Sequence, residues 1–221
     1  MKETSKPKFF NITLLRHGES VGNAESRWQG QKDYPLTEAG RAQAQALAER
    51  WHRERKKFDF IISSPLSRAR ETAEIIAAKL GLLVEFEPLW MERHNGLFAG
   101  LTPQEVRNNF EHPEFTTPYD PVGLEGEGDW QLFLRAGQAL HELLKREPAR
   151  YLIVSHGGLL NQVMHTILGI VPQAHHSGAS FRFSNTAFAQ LIYYPHQHRW
   201  VIDKLNDHTH WQDAESEKHN A

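Results

Sequence analysis

Leu14-Leu15-Arg16-His17-Gly18-Glu19-Ser20 is the stretch on which the reading of this chain turns. Residues 9–15 are rich in β-branched and apolar side chains and read as a buried strand. A strand that ends in Arg-His-Gly holds a fixed cation beside an imidazole, with uncrowded backbone next to both. That arrangement suits a phosphate held at an attacking nitrogen. A second strand-like run, residues 151–154, ends in Ser155-His156-Gly157-Gly158. Two such ends in one chain point to a phosphate ester as the molecule it handles.

Working outward, Thr37 is placed to cap a helix carrying Arg41, Ala44, Leu47 and Trp51. Residues 58–63 read as a strand. Ser64-Pro65 reads as the next helix start, a capping hydroxyl followed by proline at the first helical position. That helix carries Ala69, Ala73, Ile76 and Leu80 on one face, and Gly81 is placed to end it. Residues 82–86 form a short strand, 131–146 and 159–168 helices, and 187–194 with 200–204 a closing pair of strands. Residues 96–130, rich in Pro, Gly and acidic side chains with one helical piece near 102–110, read as an inserted cap or lid. The polar tail at about 207–221 is expected to fray.

Alternating strands and helices predict an α/β fold, a mostly parallel central sheet with helices on both faces, in a single domain over residues 1–221. Ligands of such sheets sit at the carboxyl ends of the strands. Arg16-His17, Ser63-Ser64 and Ser155-His156 all fall at predicted strand ends, so three segments aim polar groups at one edge.

Composition narrows the partners. The chain has 221 residues, 39% hydrophobic and 24% charged, an ordinary globular make-up with ample core. A formal net charge of −2 offers no basic field for nucleic acid or an anionic membrane, so any phosphate site is local. There are no cysteines, which excludes disulfides, thiol catalysis and cysteine-bound zinc. The basic N-terminal stretch is followed by too short an apolar run, broken by Asn11 and Thr13, for a signal peptide or membrane span. The cytoplasm is the expected location. A homo-oligomer is compatible with this composition.

A phosphomonoester dianion asks for charge-assisted donors, and arginine offers a planar, permanently charged fork. Arg16 and Arg68 are the candidates. A neutral histidine supplies a nitrogen nucleophile, and a second imidazole can hold the equatorial oxygens. The leaving alkoxide needs a proton, which a carboxyl of raised pKa can give. Glu92, just after a predicted strand and before the flexible stretch, is placed for that task, with Glu85 and Glu87 as nearby competitors. No step calls for a metal or another cofactor. His175-His176, His196-x-His198 and His208-x-His210 lack acidic or cysteine partners at ligand spacing. The run Arg53-Glu54-Arg55-Lys56-Lys57 reads as a solvated helix end.

These pieces in this order resemble the histidine phosphatase superfamily, and more narrowly its phosphoglycerate mutase-like branch. The likeness rests on Arg16-His17-Gly18-Glu19-Ser20 with Asn23, Ser64-Pro65-Leu66-Ser67-Arg68-Ala69 with Thr72-Ala73, Glu92, and Ser155-His156-Gly157. The resemblance implies that His17 becomes phosphohistidine and that Arg16, Arg68 and His156 grip the phosphoryl group. It implies that Glu92 protonates the leaving group and then activates water. It also implies that Asn23 and the Gly157 amide add donors, and that Gln29-Gly30 contact substrate. The chain departs from the family in two places. Gly126-Glu127-Gly128 stands where phosphatases often carry Gly-Glu-Ser, and the long basic mutase insertion is absent, Arg107 being the only arginine between Arg93 and Arg135.

The leading reading is therefore a metal-independent phosphomonoester hydrolase acting on a small phosphorylated substrate. The alternative is a phosphoglycerate mutase-like phosphotransferase, in which Arg93 and His94 would bind a substrate carboxylate. A third reading is a non-catalytic phospho-ligand binder.

Overall fold

The structure, a computed structural model, describes residues 8–111 and 113–211. Its six strands are β1 (Phe10–Arg16), β2 (Phe60–Ser63), β3 (Val84–Phe86), β4 (Arg150–Ser155), β5 (Phe188–Tyr194) and β6 (Arg199–Asp207). They form one sheet in the order β3-β2-β4-β1-β5-β6. The first four strands are mutually parallel, and β5 runs antiparallel to both β1 and β6. The helices are α1 (Val21–Ala24), α2 (Glu38–Arg53), α3 (Ser67–Leu80), α4 (Pro103–Asn109), α5 (Asp129–Leu144) and α6 (Gly157–Leu168).

Strand periodicity explains the layers. Ile12, Leu14, Tyr151 and Ile153 point to one face, where Leu132, Ala136 and Leu143 of α5 and Leu160 and Val163 of α6 cover them. Leu15, Leu152 and Val154 point to the other, under Leu47 and Trp51 of α2 and Ala73 and Ile76 of α3. The sheet is thus apolar on both sides, as its near-continuous hydrophobic strands require. A Leu152→Ala change at this fully buried position costs about 2–5 kcal/mol. No helix among the described residues is long and apolar enough to cross a membrane.

Several boundaries differ from the sequence reading, for physical reasons. The helix expected from Pro65 starts at Ser67, with Leu66 as an N-cap that makes no side-chain hydrogen bond. The Ser67 N–H is met instead by Asp33 Oδ1 at 2.8 Å, from a loop distant in sequence. Helix α5 starts two residues before the expected 131, because Gln131 Oε1 accepts the Gly128 N–H at 2.9 Å. Helix α6 begins at Gly157 rather than 159, directly behind His156. The short α1, closed by a Ser20–Asn23 capping box, was not expected at all. Residues expected to fray begin in an anchored state: Asp207 pairs with Arg50 at 2.6 Å, and His210 Nε2 meets Thr186 Oγ1 at 2.9 Å. The remainder of that tail, from 212, lies outside the described residues.

Candidate active site

Register brings the two histidines together. In the β1–β4 ladder Arg16 pairs with Ser155, so His17 and His156 leave adjacent parallel strands at the same level. Their rings lie 5.1 Å apart, centroid to centroid. His17 Nδ1 is 2.6 Å from the Gly18 carbonyl oxygen. A carbonyl only accepts, so Nδ1 carries the proton and Nε2 keeps its lone pair. Burial, then the charges of Arg68 and Arg16, hold the His17 pKa well below the usual histidine range. The ring is therefore a neutral base at physiological pH. Gly18 permits this geometry, since a Cβ there would sit 2.5 Å from the Gly40 carbonyl oxygen.

Arg68, on the first turn of α3, is almost fully buried. Its fork donates to the Gly30 carbonyl at 2.7 Å and the Lys32 carbonyl at 3.1 Å, and burial lowers its pKa to about 10. Arg16 donates to the Phe183 carbonyl at 2.7 Å, and burial lowers its pKa as well. His156 Nε2 shares a 2.8 Å hydrogen bond with Ser64 Oγ. Burial first, and then Arg68, His17 and Arg16, push its pKa well down. Arg16 Nε, Arg68 Nε and His156 Nδ1 are buried without a hydrogen-bond partner, so these three nitrogens are not spent on the protein itself.

Glu92 follows a single helical turn, Pro88–Trp90, after β3. Its carboxylate accepts three backbone N–H groups, from Arg93 at 2.8 Å, Gly158 at 3.0 Å and Leu159 at 3.1 Å. Gly158 is needed for this, because a Cβ there would press 2.5 Å from Glu92 Oε1. Arg16, His17, Asn23, Arg68 and Glu92 thus line one cavity of about 250 Å³. Glu85 pairs with Arg146 and Glu87 caps the Leu89 N–H, and neither lines that cavity.

The residues named by resemblance sort unevenly. Asn23 Oδ1 accepts from the Ser20 N–H and from Asn185 Nδ2, which leaves its own amide N–H₂ for the cavity. Gly157 opens α6 beside Arg16. Gln29 and Gly30 line the cavity, but Gln29 Oε1 is taken by Ser20 Oγ and the Gly30 carbonyl by Arg68. Arg93 also lines it, with its guanidinium paired to Asp129 at 2.6 Å. Glu127, at the departure from the Gly-Glu-Ser pattern, forks with Arg135 at 2.7 Å.

Three contributors have roles that the sequence reading does not assign. Ser64 holds His156 instead of capping a helix. Asn185 donates to the His17 carbonyl at 3.1 Å and to Asn23. Arg135 donates to the carbonyls of Leu89, Met91 and Glu92, clamping the segment that carries the acid. A mid-helix arginine reads as solvated, so nothing in the local pattern marks Arg135. Among the described residues, no group of three His, Asp or Glu side chains could hold a metal ion.

The profile of the histidine phosphatase superfamily (branch 1) matches residues 12–208. The chain belongs to that superfamily. Its chemistry is the superfamily's phosphohistidine-based phosphotransfer or hydrolysis, of phosphomonoesterase type. Among its relatives is a probable phosphoglycerate mutase (GpmB) of Photorhabdus laumondii subsp. laumondii, 36% identical, covering 90% of this chain and 94% of that one. Among solved structures, a phosphoserine phosphatase of Entamoeba histolytica is 26% identical with a TM-score of 0.76, covering 92% of this chain and 100% of that one. A mycobacterial glucosyl-3-phosphoglycerate phosphatase is 28% identical with a TM-score of 0.73, covering 89% and 98%. Together these place the α/β architecture within the superfamily's phosphoglycerate mutase-like fold.

Proposed function

We propose that this histidine phosphatase is a hydrolase that removes phosphate from a small phosphorylated substrate in the cytoplasm. His17 Nε2 attacks phosphorus in line, and the phosphorus–oxygen bond to the alcohol breaks. Glu92 gives its proton to the departing alkoxide. Arg16, Arg68, His156, Asn23 and the Gly157 amide hold the equatorial oxygens as charge moves. Glu92, now ionised, takes a proton from water, whose oxygen displaces His17 and releases phosphate. Each proton that leaves Glu92 returns to it.

The observation that favours hydrolysis over mutase chemistry is the pairing of the rim cations. A phosphoglycerate mutase must grip a substrate carboxylate as well as the phosphoryl group. Arg93, the candidate for that grip, is bound to Asp129 and to the Glu127 carbonyl. Arg27, the other arginine at the rim, is bound to Glu25 and the Gly100 carbonyl. Only Arg16 and Arg68 face the cavity without a carboxylate hydrogen-bonded to them. The name of the Photorhabdus relative keeps the mutase reading as the second hypothesis.

The deciding assay runs in chelator-treated buffer. The hydrolase reading expects phosphate release from a generic aryl phosphate, faster than any exchange between 2- and 3-phosphoglycerate. Faster interconversion than release would establish the mutase instead. Binding with neither reaction would leave a phospho-ligand binder.

A further inference from the structure

The phosphate cavity does not end at Arg93. Arg93 and Asn95 also line a second chamber of about 420 Å³, walled by Asp129, Asn161, Gln162 and Val171. Trp28, Val122 and His176 in turn line both that chamber and a third, outer groove of about 620 Å³. The three spaces therefore adjoin one another through shared wall residues, a corridor of neighbouring pockets leading away from His17. Pockets that enclose drug-sized ligands run about 300–1,000 Å³, so the chamber and the groove each have room for a body much larger than a three-carbon acid.

The chemistry changes along the corridor. Asn161 Oδ1 accepts the Phe181 N–H at 2.7 Å, which leaves its amide N–H₂ as a donor at the chamber. Past Trp28 the walls are mainly apolar, with Phe98, Val106, Phe115 and Leu124, and the charged Arg107, Glu111 and Asp120 also line the groove. Trp28 is locked at this junction, its backbone bonded to Leu101 and Gly100 and its ring edge-on to Phe98. Trp28, Phe115 and Leu124 are 39%, 61% and 69% exposed, large apolar side chains that the fold itself does not cover. Singly such residues are ordinary. Three along a groove that adjoins the chamber next to the phosphate cavity mark a binding face.

The geometry points to a leaving-group subsite: the corridor binds the alcohol portion of the substrate, and selects phosphate monoesters whose alcohol carries an extended apolar body. The inference rests on the hydrolase reading, because it is the departing alcohol that occupies the corridor. The chain of shared wall residues, Arg93 and Asn95 and then Trp28, Val122 and His176, is what assigns the groove to substrate rather than to another chain.

The test is a series of straight-chain alkyl phosphates from ethyl to octyl, assayed beside 3-phosphoglycerate. Burying a methylene is worth about 0.8 kcal/mol, so kcat/KM rises by up to about fourfold for each added carbon that enters the groove. Trp28→Ala and Phe115→Ala flatten that slope, with Trp28 the larger effect. A flat series, or a slope that both variants leave intact, overturns the inference. A parallel calorimetric titration with alkylphosphonates of the same lengths reads binding without hydrolysis. Affinity that climbs with chain length while no ester is hydrolysed would sink the hydrolase reading and keep the subsite. Hydrolysis of the whole series with length-independent phosphonate affinity would do the reverse.

Discussion

Arg16, His17 and Arg68 reach the phosphate cavity from the end of a parallel strand or the first turn of a following helix, with His156 buried against the His17 ring, whereas the chamber beside it is walled largely by loops. The first region inherits its precision from the sheet. The Arg16–Ser155 register fixes the spacing of the two histidines, and the carbonyls of residues 30, 32 and 183 fix the two arginines. The second region takes walls from residues 28, 122, 161 and 170–180, which no single element aligns. Its outer loop includes His175 and His176, both with positive φ, a conformation that side-chain-bearing residues rarely adopt. The difference suggests a division of labour. The rigid cavity carries a reaction that many substrates share, and the loop-walled chamber carries the choice among them.

The sharpest way to break this division is at His17. His17→Ala removes the nucleophile, and we expect a loss on the order of 10⁴-fold or more in kcat, equal for short and long esters. Acid-labile labelling of the protein by substrate phosphate should vanish with it. Retained labelling would move the nucleophile elsewhere. Because the His17 pKa lies well below the usual histidine range, its base form persists as pH falls through 6.5. Any decline in kcat/KM between pH 8 and that point must come from another group.

Glu92→Gln comes next. It keeps the shape of the side chain but cannot donate or recover the proton, so turnover should fall by about 10²–10⁴-fold. An aryl phosphate, whose leaving group needs little protonation, should lose less in the first step than an alkyl phosphate does. Equal losses for both esters would mean that Glu92 acts mainly through position or charge.

Arg135 tests whether the precision of the cavity depends on the layer behind it. Three backbone carbonyls and Glu127 converge on its guanidinium. Lysine keeps the charge but not the planar fork. Arg135→Lys should lower kcat by roughly tenfold to a hundredfold through misplacement of Glu92, with a smaller change in KM. Since Glu92 is the group displaced, the loss should again be greater for alkyl than for aryl esters. A loss confined to thermal stability would make Arg135 structural only.

How much of this was legible in the chain follows the same division. Arg16, His17, Arg68 and His156 sit beside strand ends, where hydrophobic periodicity locates them and where parallel sheets place ligands. Glu92 was legible by position, but its three amide partners come partly from α6, far along the chain. Ser64 was misread because a Ser-Pro pair is a good helix start locally, while the tertiary fold spends that hydroxyl on His156. Arg135 and Asn185 act through carbonyls and amides, which leave no pattern in side-chain sequence. Resemblance names Gln29, Gly30 and Arg93 as substrate contacts. Here Gln29 Oε1, the Gly30 carbonyl and the Arg93 guanidinium already have protein partners. The chamber was invisible, since pieces more than a hundred residues apart in sequence meet there only through the fold.

The smallest predicted effect lies at the seam between the two regions. Asp129 takes Arg93 on one carboxylate oxygen and His176 Nδ1 on the other, each at 2.6 Å. Burial alone would raise the Asp129 pKa, but the His176 hydrogen bond and Arg93 outweigh it and hold it below its ordinary value. The same hydrogen bond raises the pKa of His176 against the opposing effects of burial and Arg93. The charged pair is therefore complete below about pH 6.5 and is lost as pH rises through the raised His176 value. His176 is more than half exposed, so the pair has the modest weight of a surface ion pair. We expect the KM of a long alkyl phosphate to rise about twofold across that step, relative to ethyl phosphate measured at the same pH. Taking the ratio cancels the ionisation of the phosphate itself, which both esters share. His17 and His156 titrate far below this range and cannot produce the step. His176→Ala should abolish the pH dependence of the ratio and fix it at its high-pH value. A ratio that still moves with pH in that variant would place the titrating group elsewhere and leave the Asp129–His176 contact as scaffolding for the chamber wall.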